Sequence, residues 1–328
     1  MSRRASSPYA LESVGVAGAG RAGSALVVAL RARGESVVVW SRRPARARAL
    51  ARRTGARATS SLGALLGEAR LLLVAVRDDA LAEFAEVLAR DWPRGGGPRV
   101  ALHLAGSRPA AALAPLAELG PALGVFHPVV ALVGPRSAQA LEGRFVTLSG
   151  QPRAVRRARR LARRLGLRPL VVEDDQRALV HLAAVMAAGD LVALLTAAAS
   201  LLERAGLSPR AARRLLAELA TSAVQGFEDR GLDALTGPVA RGDVETLARH
   251  VEALARADLD DGPLSSAHRE LVLAGAAELV AAGRLPRRVG RQLAVSLTGR
   301  DLPAPARLRT LPRREDLSKP SGAQKDEG

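Results

Sequence analysis

The sequence predicts an α/β fold with a parallel sheet in its first half and only helices in its second half. Over residues 13–172, short β-branched or aliphatic runs alternate with Ala- and Arg-rich helical stretches, which is typical of a parallel sheet covered by helices. From residue 174 to about 299 the strand-like runs disappear. A glycine motif directly follows the first predicted strand, which indicates a nucleotide-binding turn.

The alternation places seven strands in the first half, and helix punctuation divides the second half. The predicted strands cover residues 13–17, 36–40, 71–76, 99–104, 122–126, 144–148 and 168–172. Ser208-Pro209 and Gly262-Pro263 mark breaks before helices. We therefore expect a Rossmann-type domain over residues 10–173, an all-helical domain over 174–300 that binds substrate or dimerises, and a disordered, proline- and charge-rich tail over 301–328.

Composition excludes several classes of function. The 328 residues carry a net charge of +17, but lysine occurs only at Lys319 and Lys325, and arginines are scattered through every predicted helix. Aromatic residues make up only 2% of the chain, so the stacking groups of nucleic-acid-binding proteins are nearly absent, and we expect no specific nucleic-acid partner. Without cysteine there is no disulfide and no thiol chemistry. The first residues lack the apolar run of a secretion signal, and we expect a cytoplasmic protein.

One apolar stretch resembles a membrane span. Residues 178–202 contain a single charged residue, Asp190, and many alanines. A central Asp costs about 2.5 to 3.5 kcal/mol on insertion, which weakly apolar alanines offset poorly. The stretch is better explained as the centre of the helical domain or as a subunit interface. We therefore expect no membrane association and a homodimer formed mainly through the helical domain.

The strongest chemical signal is the motif Gly18-x-Gly20-x-x-Gly23 between a predicted strand and a predicted helix. The first glycine permits the tight turn, the second lets the backbone approach a pyrophosphate, and the third allows close packing of helix on strand. A purely structural turn is the alternative, but the strand, helix, second strand and spacing are all present. The predicted cofactor-binding loop comprises Gly18, Ala19, Gly20, Arg21, Ala22 and Gly23.

The end of the second predicted strand indicates which dinucleotide is bound. Sites for NAD place an acid there to hold the ribose 2′-hydroxyl, whereas this chain has Ser41, Arg42 and Arg43. Guanidinium groups suit a 2′-phosphate. Arginine is common here, at roughly one residue in seven, so the missing acid counts for more than the arginines do. The predicted cofactor is NADP.

The N-terminal half resembles the Rossmann domain of pyrroline-5-carboxylate reductases and deazaflavin-dependent NADP reductases. The chain to about residue 259 resembles an oxidoreductase family, defined by sequence, that pairs such a domain with a helical domain of unknown function. The motifs that carry this match are HLAGS at 103–107, FHP at 126–128, HLAAVMAAGD at 181–190 and LTGPVARGDVETLARH at 235–250. The resemblance implies a helical domain that helps to complete the active site and dimerises. Where an Asn is expected in the long helix, the chain has Gly189-Asp190.

Ligands of open parallel sheets lie beyond the carboxyl ends of the strands, which predicts where the nicotinamide binds. The residues that follow two such strands are Val76, Arg77, Asp78, Ala105, Gly106 and Ser107. Arg77 and Asp78 can equally be ordinary exposed loop charges, with Asp79 capping the next helix.

His127 is the predicted proton donor. It follows another strand and precedes a proline, and an imidazole can supply the proton that accompanies hydride transfer to a carbonyl or imine. The alternative is a histidine whose ring only hydrogen-bonds a loop. His103 and His181 have weaker claims, because one ends a buried strand and the other lies on an apolar helix.

The LTGPVARGD segment supplies two further candidates, Thr236 and Arg241. Capping of the following helix explains Asp243 but neither of these residues. We expect the loop to face the active-site cleft opposite His127, with Arg241 available to pair with a substrate carboxylate or phosphate.

The expected function is hydride transfer between NADP(H) and a small imine, ketone or deazaflavin-like acceptor. The related hydroxyacid dehydrogenases and ketopantoate reductases use a catalytic lysine, but this chain has no lysine before residue 319. The five histidines show no ligand spacing, so no metal is expected. A nonenzymatic NADP(H)-responsive binding protein is the alternative, since fold alone does not separate the two.

Overall fold

The computed structural model describes residues 13–132 and 135–298, which form two compact units. The first extends to Asp190 and the second begins at Leu191. The predicted tail, 301–328, and the first residues of the predicted 10–173 domain lie outside the described residues. The sequence predicted a domain boundary at residue 173. The first unit instead extends to Asp190 and therefore also contains the segment from Asp174 to Asp190.

The first unit contains one eight-stranded sheet. Its strands are β1 Val14–Ala17, β2 Val37–Trp40, β3 Arg57–Thr59, β4 Leu71–Val74, β5 Val100–His103, β6 Ala122–Pro128, β7 Phe145–Gly150 and β8 Arg168–Val171. Seven were predicted and are confirmed within a few residues. The edge strand β3 was missed because it has three partly exposed residues and no apolar run.

The strand order is β3-β2-β1-β4-β5-β6-β7-β8, the doubly wound arrangement of a Rossmann-type sheet extended by two strands. The order reverses between β1 and β4, which is where ligands bind beyond the carboxyl ends. The predicted parallel sheet is confirmed except at one pair, since β6 and β7 run antiparallel with His127 opposite Thr147. The chain turns back between these strands, so Thr147 lies beside the edge that carries His127.

Helices cover both faces of this sheet. They are α1 Arg21–Ala32, α2 Pro44–Thr54, α3 Leu62–Glu68, α4 Leu81–Arg90 and α5 Pro152–Arg164. A further helix, α6 Arg177–Val185, follows β8, and its first residue is buried. The buried strands are nearly continuous aliphatic runs, as expected when both faces are covered. One core contains side chains of α1, α2 and α5, and the other contains those of α3 and α4.

The second unit is all-helical, as predicted. Its helices are α7 Leu191–Arg204, α8 Pro209–Arg230, α9 Gly237–Arg241, α10 Val244–Arg256, α11 Pro263–Ala281 and α12 Arg287–Thr298. The predicted starts at Pro209 and Pro263 are confirmed, and the side chain of Ser208 accepts a hydrogen bond from the N–H of Ala211. An aliphatic core joins α10, α11 and α12.

The long apolar stretch is not the centre of a helical bundle, contrary to one of the two explanations offered for it. Its helical turns continue from α6 through a π-helical segment, Met186–Asp190, into α7, and most of its side chains are exposed. By length and composition alone the helical run Asp174–Arg204 can cross a membrane, although core helices of soluble proteins pass the same test. Large exposed apolar side chains also occur on α8, where Leu219 is 63% and Phe227 69% exposed.

Candidate functional site

The glycine loop, residues 18–23, forms the turn from β1 into α1. Gly18 has φ of 125°, and a Cβ there would collide with the carbonyl oxygen of Ala75. A Cβ on Gly23 would collide with the carbonyl oxygen of Gly18. Beside Gly20, the residue that caps α1, there is open space within 4 Å. Two glycines therefore serve the packing of the turn, and the third leaves room at a helix N-terminus, where a pyrophosphate fits.

The second candidate segment, residues 41–43, directly follows β2. Ser41 is buried and its hydroxyl accepts a hydrogen bond from the N–H of Arg43 at 3.3 Å. Both Arg42 and Arg43 are exposed at this turn, and neither has a carboxylate partner among the described ion pairs. Their guanidinium groups are thus available to a phosphate group.

The segment after β4 shows a different arrangement from the expected cap. Arg77 is exposed and its Nε donates to Asp79 at 3.0 Å, so Asp79 pairs with Arg77 and does not cap the helix that follows. Val76 is half-buried and packs against the core that contains α4. Arg77 therefore forms an exposed ion pair with Asp79 at the surface.

The segment after β5 packs directly against two histidine rings. Gly106 is buried, and a Cβ at this position would lie 2.8 Å from Cε1 of His127 and would also collide with the ring of His181. The neighbouring residues, Ala105 and Ser107, are buried and half-buried. A glycine is required here because any larger residue would displace the rings.

Among the predicted catalytic residues, His127 has the most contacts with neighbouring side chains and backbone. It lies within β6, one residue from its end, and not after the strand as expected. Its Nδ1 lies 2.9 Å from the carbonyl oxygen of Leu104, which only accepts, so Nδ1 carries the proton. Its Nε2 has no hydrogen-bond partner among the described residues. The edge of its ring meets that of His181, with ring centres 5.4 Å apart.

Burial lowers the pKa of His127 below its ordinary value of 6.5. His181 and Arg177 lower the same pKa further, whereas the hydrogen bond to Leu104 and the charge of Asp78 raise it. At neutral pH the ring is therefore uncharged, with its proton on Nδ1 and a lone pair on Nε2. In this form Nε2 of His127 can accept a hydrogen bond but cannot donate one, while Nδ1 donates to Leu104.

Arg177 is the main residue of this site that sequence reasoning missed. It begins α6, it is 1% exposed, and its guanidinium is surrounded by oxygen acceptors of the first unit. Nε donates to the carbonyl of Arg108 at 3.0 Å, Nη1 to the hydroxyl of Ser149 at 3.1 Å, and Nη2 to the carbonyl of Gly106 at 2.9 Å. Nothing in the sequence distinguishes this arginine from the many exposed ones.

These residues surround a small pocket at the carboxyl edge of the sheet, which we call the histidine pocket. Its polar lining is formed by His127, His181, Arg177 and Thr147, and its remaining lining residues are Gly106, Val129, Val172, Val180 and Ala184. The pocket therefore combines aliphatic walls with two imidazole nitrogens that have no hydrogen-bond partner among the described residues, Nε2 of His127 and Nδ1 of His181. Within residues 13–132 and 135–298 no cluster of three or more histidine, aspartate or glutamate side chains could hold a metal ion.

Thr236 and Arg241 belong to the second unit. Thr236 precedes α9 and makes no capping hydrogen bond, and Arg241 is the exposed last residue of that helix. Asp243 caps α10, as predicted, by accepting a hydrogen bond from the N–H of Thr246 at 2.9 Å. The placement of Thr236 and Arg241 opposite His127 stays a prediction.

Two sequence families match separate parts of the chain. Residues 13–95 match the family described as NADP oxidoreductase, coenzyme F420-dependent, and residues 144–273 match the domain of unknown function DUF2520. The first match contains the glycine loop and the segment 41–43, in agreement with the predicted cofactor. The second contains Arg177, His181 and Thr236. No curated protein matches the sequence at a significant level.

Solved structures with the same fold include an NADP oxidoreductase, a reductive aminase and an imine reductase. An NADP oxidoreductase, so described, from Bacteroides fragilis is 24% identical with a TM-score of 0.62, and the match covers 83% of this chain and 97% of that one. A reductive aminase from Aspergillus terreus, in complex with NADPH4, cyclohexanone and allyl amine, is 22% identical with a TM-score of 0.61 and coverages of 87% and 98%. An imine reductase from Streptomyces aurantiacus is 23% identical with a TM-score of 0.61 and coverages of 86% and 99%.

At these identities the structural similarities establish the fold alone, and each family match applies to the residues that it covers. The resemblance predicted from the sequence is confirmed: residues 13–95 match the coenzyme F420-dependent NADP oxidoreductase family, residues 144–273 match DUF2520, and the fold is the one seen in solved NADP oxidoreductases and imine reductases.

Proposed function

We propose that this chain is an NADP-dependent reductase whose acceptor is a small protonated imine bound at His127. The observation that carries the proposal is the hydrogen bond from Nδ1 of His127 to Leu104, because it fixes the ring with a lone pair on Nε2 in the histidine pocket. The reductase and aminase activities named for structures of the same fold support the class of reaction.

The glycine loop and the segment 41–43 would hold the cofactor. The open space beside Gly20 accepts the pyrophosphate, and Arg42 and Arg43 suit the 2′-phosphate. NADPH, when bound, supplies a hydride. The residues after β4 and β5, from Val76 to Asp78 and from Ala105 to Ser107, follow the strands at whose carboxyl ends a nicotinamide is expected.

The protonation state of His127 favours one acceptor class over another. A ketone needs both a hydride and a proton to become an alcohol, whereas a protonated imine needs only the hydride to become an amine. Nε2 of neutral His127 accepts a hydrogen bond from the N–H of a protonated imine and thereby orients its carbon atom. The same nitrogen has no proton to give to a ketone at neutral pH.

The walls of the histidine pocket suit an apolar substituent on that imine. Val129, Val172 and Val180 line it, and the guanidinium of Arg177 already donates to protein oxygens. The part of the acceptor that contacts these residues is therefore apolar and carries no anionic group. Arg241 remains the proposed partner for a more distant anionic group, and Thr236 remains a proposed polar contact.

An acceptor screen tests the reductase proposal first. Purified protein is incubated with NADPH and with cyclic imines, ketones, 2-keto acids and deazaflavins, and the loss of NADPH absorbance is followed. We expect turnover with imines, faster than with ketones of the same shape. Binding of NADPH without turnover of any acceptor would contradict the proposal and favour the nonenzymatic NADP(H)-responsive protein.

Two variants of His127 then separate the acceptor role from a proton-donor role. His127→Leu removes the hydrogen bond to a charged imine, and we expect kcat/KM to fall about 10- to 100-fold. His127→Gln keeps an oxygen acceptor and should retain most of the activity. If His127 donates a proton, both variants lose about two to four orders of magnitude, and the proposed acceptor role is wrong.

We also propose that the exposed apolar side chains of α7 and α8 are covered by a second copy of the chain. These helices pack against each other, and Val192, Leu219 and Phe227 are more than half exposed. α8 carries Arg and Glu side chains along its length, including the Arg214–Glu218 pair, which a bilayer would not accept. A symmetric dimer buries the same apolar patch on both copies.

Light scattering of the full chain tests the dimer. We expect twice the mass of one chain at micromolar concentration, and a monomer for the double variant Leu219→Glu/Phe227→Glu. The control is Val295→Glu, since Val295 is 55% exposed on α12. A monomeric wild-type protein, or one that purifies only with detergent, would contradict the proposal. A cytoplasmic location stays a prediction.

A further inference from the structure

Arg177 is a buried charge in the first unit that the proposed chemistry does not use. A guanidinium withdrawn from water is costly unless oxygen acceptors surround it, and a well-packed apolar side chain often stabilises a protein more. Here burial and the loss of solvent lower the pKa of Arg177, and the charge of Asp174 opposes that effect. An arginine at this position therefore needs an explanation other than stability.

The guanidinium joins the two segments of chain that flank His127. From one side it binds the carbonyls of Gly106 and Arg108, which belong to the loop after β5. From the other side it binds the hydroxyl of Ser149 at 3.1 Å and approaches that of Thr147 at 3.5 Å, both on β7. Thr147 is the residue paired with His127 across the two strands.

The loop held by Arg177 is the one against which the His127 ring packs. It begins directly after Leu104, whose carbonyl accepts the hydrogen bond donated by Nδ1, and Gly106 lies in contact with the ring. Asp174 fixes the far end of the same loop, because its Oδ2 accepts a hydrogen bond from the N–H of Ala110 at 3.1 Å. A shift of this loop would therefore rotate or release the ring.

Four charged or titratable groups face His127 from three parts of the chain. These are Arg177 and His181 on α6, His103 on β5 and Asp78 after β4. Of these, Arg177 is the permanent positive charge, and it favours the neutral ring, while Asp78 opposes it. The guanidinium thus acts on the position of the ring and on its protonation.

We propose that Arg177 is a positioning residue: its guanidinium holds the loop 105–108 against β7 so that the ring of His127 stays fixed in the histidine pocket. The expected effect of Arg177 on turnover rests on the proposed function of His127. The expected effect of Arg177 on the His127 ring does not, because the titration of the ring is measured without an acceptor.

The test compares three variants of the full chain. Arg177→Met removes the charge and the hydrogen bonds, and Arg177→Lys keeps the charge but cannot reach all the acceptors. The matched control is Arg164→Met, because Arg164 is a partly buried arginine of the same unit that pairs with Glu35. Histidine ring resonances are followed by NMR against pH, with the signal of His127 assigned from the His127→Gln variant.

We expect the pKa of His127 to rise in Arg177→Met and to stay low in Arg177→Lys and in the Arg164→Met control. With an imine acceptor, kcat should fall about 10- to 100-fold in both Arg177 variants, because the loop is released in each. The acid limb of the pH profile should move upward only in Arg177→Met. An unchanged His127 titration in a folded Arg177→Met protein would overturn the proposal, whether or not an acceptor has been found.

A milder variant keeps the proposal testable if Arg177→Met does not fold. Ser149→Ala removes one acceptor of the guanidinium and leaves its charge in place. We expect kcat to fall about 3- to 10-fold, with the His127 pKa unchanged and KM for NADPH unchanged. Wild-type kcat in Ser149→Ala would overturn the positioning role.

Discussion

The glycine loop and the histidine pocket lie at the same edge of one sheet, but they are built in different ways. The glycine loop is formed by six consecutive residues, and its close contacts are with Gly18 itself and with Ala75 on the adjacent chain segment. The histidine pocket is formed by the ends of β5 and β6, by β7 and by α6, so its residues are up to 78 positions apart, from Gly106 to Ala184. The glycine loop is a local motif that is held in place by its own backbone. The histidine pocket is a composite site, built from distant segments, and it depends on a residue such as Arg177 that holds those segments together.

The largest expected effect comes from the packing glycines of the local motif. Gly23→Val places a side chain against the backbone carbonyl of Gly18, which cannot move aside, so we expect loss of folding or of all NADPH binding. Gly20→Ala should fold normally and weaken NADPH binding, because open space surrounds this position. Circular dichroism and calorimetry measure both outcomes. Equal behaviour of the two variants would break the division of roles within the loop.

In the composite site, Gly106→Ala should lower kcat/KM for an imine about 10²-fold by displacing the two histidine rings. NADPH affinity should change much less than turnover if Gly106 acts through the rings. Gly67→Ala, in open space at the end of α3, is the control and should leave turnover unchanged. A Gly106→Ala enzyme with normal turnover would show that the rings do not act in the reaction.

The buried histidine next to this site makes stability depend on pH. Burial lowers the pKa of His103 to about 4, so between pH 6.5 and pH 4 the unfolded chain binds more protons there than the folded one does. The free energy of unfolding therefore falls as the pH drops, by about 2 kcal/mol between pH 7 and pH 5 from this residue. Urea denaturation of wild type and His103→Leu measures it, and the variant should lose that part of the pH dependence. An identical pH dependence in both proteins would contradict the prediction.

The smallest expected effect is on the ratio of NADPH to NADH affinity, which we assign to residues 41–43. NADPH should bind at least about tenfold more tightly than NADH, since a bidentate phosphate contact is worth more than about 1.4 kcal/mol. Arg42→Ala and Arg43→Ala should reduce that ratio by weakening NADPH binding, while Arg53→Ala, an exposed arginine at the far end of α2, should not. Calorimetry decides this, and a preference for NADH in the wild type would refute the role of residues 41–43.

The sequence by itself determined the parts of the molecule whose causes are local. Strands of continuous aliphatic residues, the turn at Gly18 and the helix starts at Pro209 and Pro263 each follow from a few neighbouring residues, and all were predicted correctly. The three-residue strand β3 and the reversal between β6 and β7 were not predicted, because neither leaves a periodic apolar pattern.

Only the tertiary structure decided which polar residues form the composite site. The sequence selected His127 but gave no reason to join it to Arg177, which is one of many arginines until the fold removes it from water. The sequence assigned His127 a proton to donate, whereas we propose an acceptor role, because Nδ1 donates its hydrogen bond to the carbonyl of Leu104 and burial lowers the pKa of the ring below its ordinary value. Burial and hydrogen-bond partners set the charge of a side chain, and both are properties of the packed molecule that no stretch of sequence contains.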